Sequence, residues 1–385
     1  MLMDPKATVS VIVPTFNRAS FLRGAVTSLL SQTDPPIEVI VVDDGSTDDT
    51  GAVVREFGKD IVYLRKQNGG KASAINLALP RARGEFLWFF DDDDVALPDA
   101  IERRIDALKA RRELRWIFSS YYFGTTGPDG KIVRGPQKAI RALPESTLFQ
   151  RLLLSCFFPL QSCLIHRDCI TQIGNFNETL LRSQDYDLLL RLAHRFAFSG
   201  VDEPTFILRM HDGMRGPLSD RHSTSSRARV WCKYDRIIGR QIRERISLVD
   251  FTRTPWVAAG AGPWDRRLAL IQRAAVMASK GLIPEMIEDC VAAASESPEP
   301  LRNQERILCE QLLRLPYFNI AYADARRVFW RGVRSLSKSR VGREILMLFV
   351  IALTSQAAYH DKRLAQRARH LWMSLGVLAR YFLVA

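Results

Sequence analysis

Short β-branched runs alternating with amphipathic stretches organise the first half of the chain. Val9 to Val13 is apolar except at Ser10 and closes on Pro14, which predicts a buried strand. Leu22, Ala25, Val26, Leu29 and Leu30 then recur at helical spacing behind Ser20, a candidate N-cap. Val39 to Val42 predicts a second strand, followed by a helix from Asp49 to Phe57. Ile61 to Leu64 predicts a third, leading through Asn68-Gly69-Gly70-Lys71 to a short helix with Ala74, Ile75 and Leu79. Phe86 to Phe90 is the fourth, and Pro98 opens the helix after it. Strands and helices alternating at this spacing imply a parallel sheet with helices on both faces, the α/β class. Further along, Phe118 to Phe123 with the turn Gly127-Pro128-Asp129-Gly130 suggests a hairpin, Leu148 to Phe158 a helix, and Gln161 to Ile165 and Thr205 to Met210 strands. Beyond Asp220 the pattern turns helical, with breaks at Pro255 to Pro263 and Ser295 to Pro300. The expected division is therefore residues 1–220 and a mainly helical region, 221–385.

Each predicted strand gives way to a polar segment: Pro14-Thr15-Phe16-Asn17, Asp43-Asp44, Asn68-Gly69-Gly70-Lys71, and Asp91 to Asp94. Each is also an ordinary turn sequence. Four such clusters at the carboxyl ends of consecutive parallel strands should nevertheless converge on one crevice, where open α/β sheets bind ligands. The four consecutive aspartates carry the sharpest signal. Carboxylates about 4 Å apart repel and raise one another's pKa, and a hard divalent cation with oxygen ligands relieves that repulsion.

These motifs, in this order, resemble the family 2 glycosyltransferases, inverting enzymes of the GT-A fold, a Rossmann-like, mostly parallel sheet. Val9 to Arg18 is similar to the family's opening strand and nucleotide loop, Val41 to Asp48 to its second motif, and Asn68 to Asn76 to its third. Asp91 to Asp94 with Leu97-Pro98-Asp99 resembles its metal motif, and the resemblance runs over residues 8–215. It implies that Pro14, Thr15, Asn17 and Asp44 hold the nucleotide of a UDP-sugar, with Asp44 accepting from the uracil edge, and that Lys71 meets the diphosphate. It implies Mn²⁺ or Mg²⁺ as cofactor on Asp93, with Asp92 near the ribose and Asp91 able to substitute in either role. His211 resembles the histidine that closes many such domains and reaches the metal or diphosphate.

On the acceptor side, Gly174 to Glu178 and Ser183 to Arg191 resemble the segment that carries the catalytic base. Asp185 matches that acid, in the first turn of a helix whose dipole favours the ionised carboxylate. The usual preceding Glu is Gln184 here, and Asp187 is the alternative base. The implied activity is inverting transfer of a sugar from UDP to a hydroxyl of a glycan or lipid-linked acceptor, as in cell-surface polysaccharide synthesis.

Composition adds a second theme. The 385 residues carry a formal charge of +13, placed unevenly: residues 1–220 hold 27 Lys and Arg against 28 acids, residues 221–385 hold 28 against 14. The basic excess, densest from Arg326 onward, points to anionic lipid, nucleic acid or an acidic partner. Ile345 to Leu353 and Leu371 to Ala385 are strongly apolar but fall short of the roughly 20 residues that span a bilayer. With Lys362, Arg363, Arg367 and Arg369 beside them, two readings compete: basic amphipathic helices in the headgroup region, or a buried helix pair or oligomer contact.

Six cysteines without a CxxC pair or regular framework imply free thiols in a reducing compartment, and the first residues hold no signal-like apolar stretch. The expected location is the cytoplasm, peripheral on the inner face of the plasma membrane if the lipid reading holds. Two other classes are weaker. A nucleotidyltransferase would share the acids but normally carries a Gly/Lys-rich phosphate loop near the N-terminus, and a nucleic-acid binder would show a recognised module. Neither signal is present, and no nucleic-acid partner is expected.

Overall fold

In the computed structural model, which describes residues 7–128, 130–140, 145–211, 227–253, 255, 265–314, 317–359, 373–374 and 376–377, the chain separates into two compact units. One comprises Met1–Phe149 with Cys156–Arg221, the other Gln150–Ser155 with His222–Ala385.

The first unit is built on a nine-stranded sheet. Strand β1 (Val9–Thr15) is buried at every position and lies between β2 (Glu38–Asp43) and β4 (Phe86–Phe89), with β3 (Val62–Arg65) outside β2. All three pairings are parallel, so the four strands end on one edge of the sheet. Pro14 pairs with Val42 beyond the end of the β1–β4 ladder, which stops at Ile12 opposite Phe89. Its missing N–H therefore costs no bond to β4. The rest of the sheet is mixed, because β8 (Cys163–His166) runs antiparallel to both β4 and β6 (Trp116–Thr126). β6 pairs antiparallel with β7 (Ile132–Lys138) and parallel with β9 (Phe198–Arg209), and β5 (Val95–Ala96) closes the far edge antiparallel to β9. Asp91 to Asp94 thus carry the chain from the central β4 across to that edge. The mostly parallel sheet expected from the sequence is thus present, with β1 to β4 parallel and the antiparallel pairings confined to the strands after β4.

Helices α1 (Ala19–Leu30), α2 (Thr50–Glu56), α3 (Lys71–Ala78) and α4 (Ala100–Ala110) follow the first four strands. α1 buries Leu22, Ala25, Val26 and Leu29, the predicted stripe, against a core that includes Val11, Val13, Val39, Val41, Trp88 and Phe90. Its start differs from the expectation: Ser20 lies inside the helix and caps nothing. The first amides are satisfied from the neighbouring turn, with Ala19 N donating to Asp48 Oδ2 at 3.2 Å and Arg18 N to Thr50 Oγ1 at 3.3 Å. Helices α5 (Glu145–Leu154), α6 (Arg167–Ile173) and α7 (Gln184–Arg195) complete the order before β9.

The second unit is helical: α8 (Arg227–Arg245), α9 (Arg266–Ser279), α10 (Ile283–Glu296), α11 (Asn303–Gln311), α12 (Phe318–Leu336) and α13 (Arg340–Tyr359). Glu305, fully buried, accepts from Arg267 Nε and Nη2, each at 2.9 Å, and from the Arg302 amide at 2.7 Å. Burial works against its ionised form, but the bonds from Arg302 and Arg267 outweigh it and hold the carboxyl down at about 2. The apolar run Ile345 to Leu353 lies in α13, with Ile345, Leu346, Phe349, Ala352 and Leu353 all buried and only Ile351 exposed. It is core of the helical unit, which corrects the headgroup reading for this stretch. Lys362, Arg363, Arg367 and Arg369 lie outside the described residues, as does most of Leu371 to Ala385. No helix among the described residues is long and apolar enough to cross a membrane.

Candidate active site

The loops after β1, β2 and β3 lock together through side-chain bonds. Asn17, at φ 53, accepts from the Thr47 amide at 2.7 Å and the Asp48 amide at 3.3 Å, while its own N–H donates to Ser46 Oγ. Asn17, expected among the nucleotide contacts, braces the turn after β2 with its carboxamide oxygen. Asp44 Oδ1 accepts from Lys66 Nζ and Gly69 N, both at 2.9 Å, and Oδ2 from Gly70 N at 2.7 Å. Gly45, at φ +84, lets this turn pass the next loop, because a Cβ there would lie 3.0 Å from Asn68 N. Asp44 is 3% exposed, and its carboxylate shapes the Asn68 to Lys71 segment while keeping one acceptor position on Oδ2. Thr15 is equally buried.

That segment places Lys71 at the first position of α3, where its ammonium bonds Asp91 Oδ1. Burial alone would favour the neutral amine. The charges of Asp91, Asp185 and Asp93 outweigh it and hold the ammonium protonated. The base candidate and the acid cluster thus act on one lysine, which brings together the groups that the strand-end motifs and the Asp185 motif identified separately.

Asp91 Oδ2 and Asp94 Oδ2 share a donor, Gln161 Nε2, at 3.0 and 2.7 Å; Gln161 comes from the turn before β8. Asp94 Oδ1 also accepts from Arg209 N at 2.8 Å. Asp93 Oδ2 lies 2.8 Å from His211 Nε2 and 3.8 Å from Arg18 Nη1, and its carbonyl accepts from Arg209 Nε at 2.8 Å. Phe21 is the apolar plate beneath these groups: the His211 ring stacks on it with centroids 5.3 Å apart, and the guanidinium carbons of Arg18 and Arg209 sit 5.7 and 5.2 Å from its centre.

Asp91, Asp93 and Asp94 each present a carboxylate oxygen within 4.8 Å of the others. Burial, then the charge of Asp93, pushes Asp92 up to about 7, and the same causes lift Asp94 well above the usual carboxylate range. A donor set made of crowded carboxylate oxygens, with one imidazole beside it, fits a hard divalent cation such as Mn²⁺ or Mg²⁺. Asp93 and His211, expected as ligands, are together. Asp94, to which no role attaches in the resemblance, joins Asp91 and Asp93 in the cluster, and Asp92 stays out of it.

The sequence model described as Glycosyl transferase family 2 matches residues 10–167, the stretch that holds every strand-end motif above. Over that stretch the chain is similar to glycosyl transferase family 2. An uncharacterized glycosyltransferase of Rickettsia prowazekii is 34% identical over 187 residues, 47% of this chain and 57% of the relative. A Bacillus subtilis glycosyltransferase named for teichuronic acid biosynthesis is 33% identical over 173 residues, 44% of this chain and 66% of its own. The chain spans only 31% of a longer relative from Rickettsia conorii. Among solved structures, S. aureus TarS 1–349 in complex with UDP-GlcNAc superposes with a TM-score of 0.55 at 18% identity, covering 84% of this chain and 90% of that one. That likeness shows a shared GT-A fold.

Next to the family 2 match, α7 separates the two base candidates. Asp185 is partly exposed in the first turn, and Oδ1 accepts only from the adjacent Tyr186 amide at 2.8 Å among the bonds described. Asp187 is 4% exposed and bound at 2.8 Å to Arg191, whose other donors go to the carbonyls of Ile173, Gly174 and Asn175. Asp187 is therefore a brace for the Gly174 to Glu178 segment. Asn76 pins the same segment to α3, donating to Phe176 O and accepting from Phe176 N, each at 3.0 Å. Gln184 and Ser183 stand just before Asp185, and Gln184 Oε1 and Ser183 Oγ are buried without partners. Gln161 and Phe21 carry no motif signature, and Arg18, the last residue of the opening motif, had no role of its own assigned there. Arg209, the last residue of β9, likewise had no role assigned from the sequence.

Proposed function

We propose that the protein transfers a sugar from a UDP-sugar to an acceptor hydroxyl with inversion at the anomeric carbon. The observation that carries this reading is the cluster of Asp91, Asp93 and Asp94 carboxylate oxygens within 4.8 Å of one another, with Lys71 of the neighbouring loop bonded to Asp91. Thr15, Asp44 and the loop after β1, with Pro14 at its base, would hold the nucleotide, the free acceptor position of Asp44 taking an imide N–H. A buried carboxylate in that place rejects a base without the donor. Asp91, Asp93 and Asp94, with His211 beside Asp93, would hold Mn²⁺ or Mg²⁺, which when bound neutralises negative charge on a leaving diphosphate. Lys71 and Arg18 would add positive charge near the same oxygens. Asp185 would take the proton from the acceptor hydroxyl as its oxygen bonds to the anomeric carbon, while the bond from that carbon to UDP breaks and its electron pair leaves with the diphosphate.

Similarity to a relative named for teichuronic acid biosynthesis supports an acceptor that is a glycan or lipid-linked saccharide of a cell-surface polymer. A lipid-linked acceptor would place the enzyme on the cytoplasmic face of a membrane as a peripheral protein. The decisive experiment is Asp185→Asn. UDP binding, followed by calorimetry with Mn²⁺, should stay near wild type, whereas transfer should fall by at least a hundredfold, the range removed with a general base. Wild-type turnover in that variant would overturn the assignment.

A further inference from the structure

The helical unit carries charge that the transfer chemistry does not use. Along α12 the aromatic residues Tyr322, Phe329 and Trp330 turn inward, and even the polar edge of Trp330 is spent inside, its Nε1 donating to Tyr322 Oη at 2.9 Å. Arg327, Arg331 and Arg334 are exposed, with Lys338 just past the helix end. These four positions succeed one another by four, three and four residues, the spacing that keeps side chains on a single helix face. Asp324, one turn earlier, is paired with Arg236 at 3.0 Å and leaves the row unneutralised.

The contrast with the rest of the unit is informative. Arg243, Arg267, Arg273 and Arg306 each reach a carboxylate, on Glu288, Glu305, Asp289 and Glu344. None of the four cations in the row has a hydrogen bond or ion pair for its charged head among the described residues. Val328, 36% exposed, adds an apolar tip beside Arg327 and Arg331.

We propose that this face of α12 docks on an anionic phospholipid surface, which rests on the peripheral-membrane reading above and assigns it a location. Guanidinium forks bind phosphate oxygens in pairs, and a straight row of them meets a plane of headgroups without any groove. An apolar tip between cations suits the headgroup boundary. A single-stranded nucleic acid would call for exposed aromatic faces to stack its bases, and the three inward-turned aromatic residues of α12 offer none. With no membrane-crossing helix among the described residues, the contact is superficial and electrostatic.

The test is sedimentation of the full chain with vesicles of phosphatidylcholine, with and without phosphatidylglycerol, at low and physiological salt. The wild type should pellet only with the anionic vesicles and be released by salt. The triple variant Arg327→Gln/Arg331→Gln/Arg334→Gln should lose about fivefold in partitioning per charge, roughly a hundredfold in all. These positions are exposed and make no side-chain bond among the described residues, so the variant's melting temperature and UDP binding should match wild type; as a second variant, Lys replacements at the three sites should pellet. Wild-type pelleting that the Gln variant leaves unchanged would overturn the α12 assignment and leave the membrane reading standing. A wild type that ignores anionic vesicles, or that ignores them yet shifts a single-stranded RNA probe, would overturn both.

Discussion

Replacing Gln161 by Leu tests whether the acid cluster is held in place by one amide. Leucine keeps an apolar side chain at this position, one atom shorter than glutamine, and the backbone carbonyl that accepts from Trp88 Nε1 at 2.7 Å is untouched. The substitution removes Nε2, the shared donor to Asp91 and Asp94. A hydrogen bond to a charged acceptor contributes about 1.5–3 kcal/mol. The two carboxylates recover unequally. Asp91, with 30% of its side chain exposed, can take a water in place of the amide, whereas Asp94 is 2% exposed and keeps only the Arg209 amide among the bonds described. The net loss should therefore be about 2–4 kcal/mol, dominated by Asp94. For a unit of this size that lowers the melting temperature by roughly 5–15 °C. Because the same amide fixes the separation of two cluster oxygens, the Mn²⁺ concentration for half-maximal transfer should also rise, about tenfold if 1.4 kcal/mol of the loss falls on the cation-bound state. Thermal unfolding with and without Mn²⁺, alongside a Mn²⁺ titration of sugar transfer, reads both quantities. A variant with wild-type melting and wild-type Mn²⁺ dependence would refute the reasoning. Lowered melting with unchanged Mn²⁺ dependence would leave Gln161 a packing residue only.

Chelation with EDTA should abolish transfer and the stabilisation given by UDP, Mn²⁺ should restore both, and Asp93→Ala should not be rescued; full activity in EDTA would contradict a cation on these acids. Asp44→Ala removes the acceptor of three bonds that shape the loop before Lys71, so UDP affinity measured by calorimetry should fall at least tenfold, and unaltered affinity would remove Asp44 from the nucleotide site. In the helical unit, the Glu305 carboxyl sits at about 2 when folded against 4.5 for the free group. A depressed value means stability present above the unfolded pKa and lost as pH falls from about 4.5 toward 2, about 3 kcal/mol in all. Denaturant unfolding across that window should show the slope in the wild type and not in Glu305→Gln; equal slopes would refute the linkage.

The parallel half of the sheet was legible because its information is local. A β-branched run closed by a polar turn reports a strand and its end, and four such ends in order imply a shared edge whatever the detailed contacts. Asp44, Lys71 and Asp93 accordingly lie just beyond the ends of β2, β3 and β4, and Asp185 lies in the first turn of α7. The supporting shell was not legible, since its members reach the site from distant segments with no pattern of their own. Gln161 arrives 70 residues after Asp91, and Phe21 looks like any apolar residue at the start of a helix. The Ser20 cap failed for a related reason: local propensity favours a Ser near a helix start, but Asp48 and Thr50 supply the bonds from another loop.

Apolar composition misled in the second half for a different physical reason. Ile345 to Leu353 could equally face lipid tails or a protein interior, because both are dry and neither leaves a mark in the sequence. The two are separated by where the cations fall relative to the buried face. On α13 the run is enclosed by its own unit, so a lipid contact has to be sought where charge is exposed and unpaired. On α12 the aromatic stripe that fixes the helix inward is the same feature that turns Arg327, Arg331 and Arg334 outward. An alternating pattern read at 3.6 residues per turn therefore carries two statements, one about the core and one about the surface opposite it. The surface statement is the one that needed the structure, because only the surroundings of each side chain show which of the many arginines already have a carboxylate.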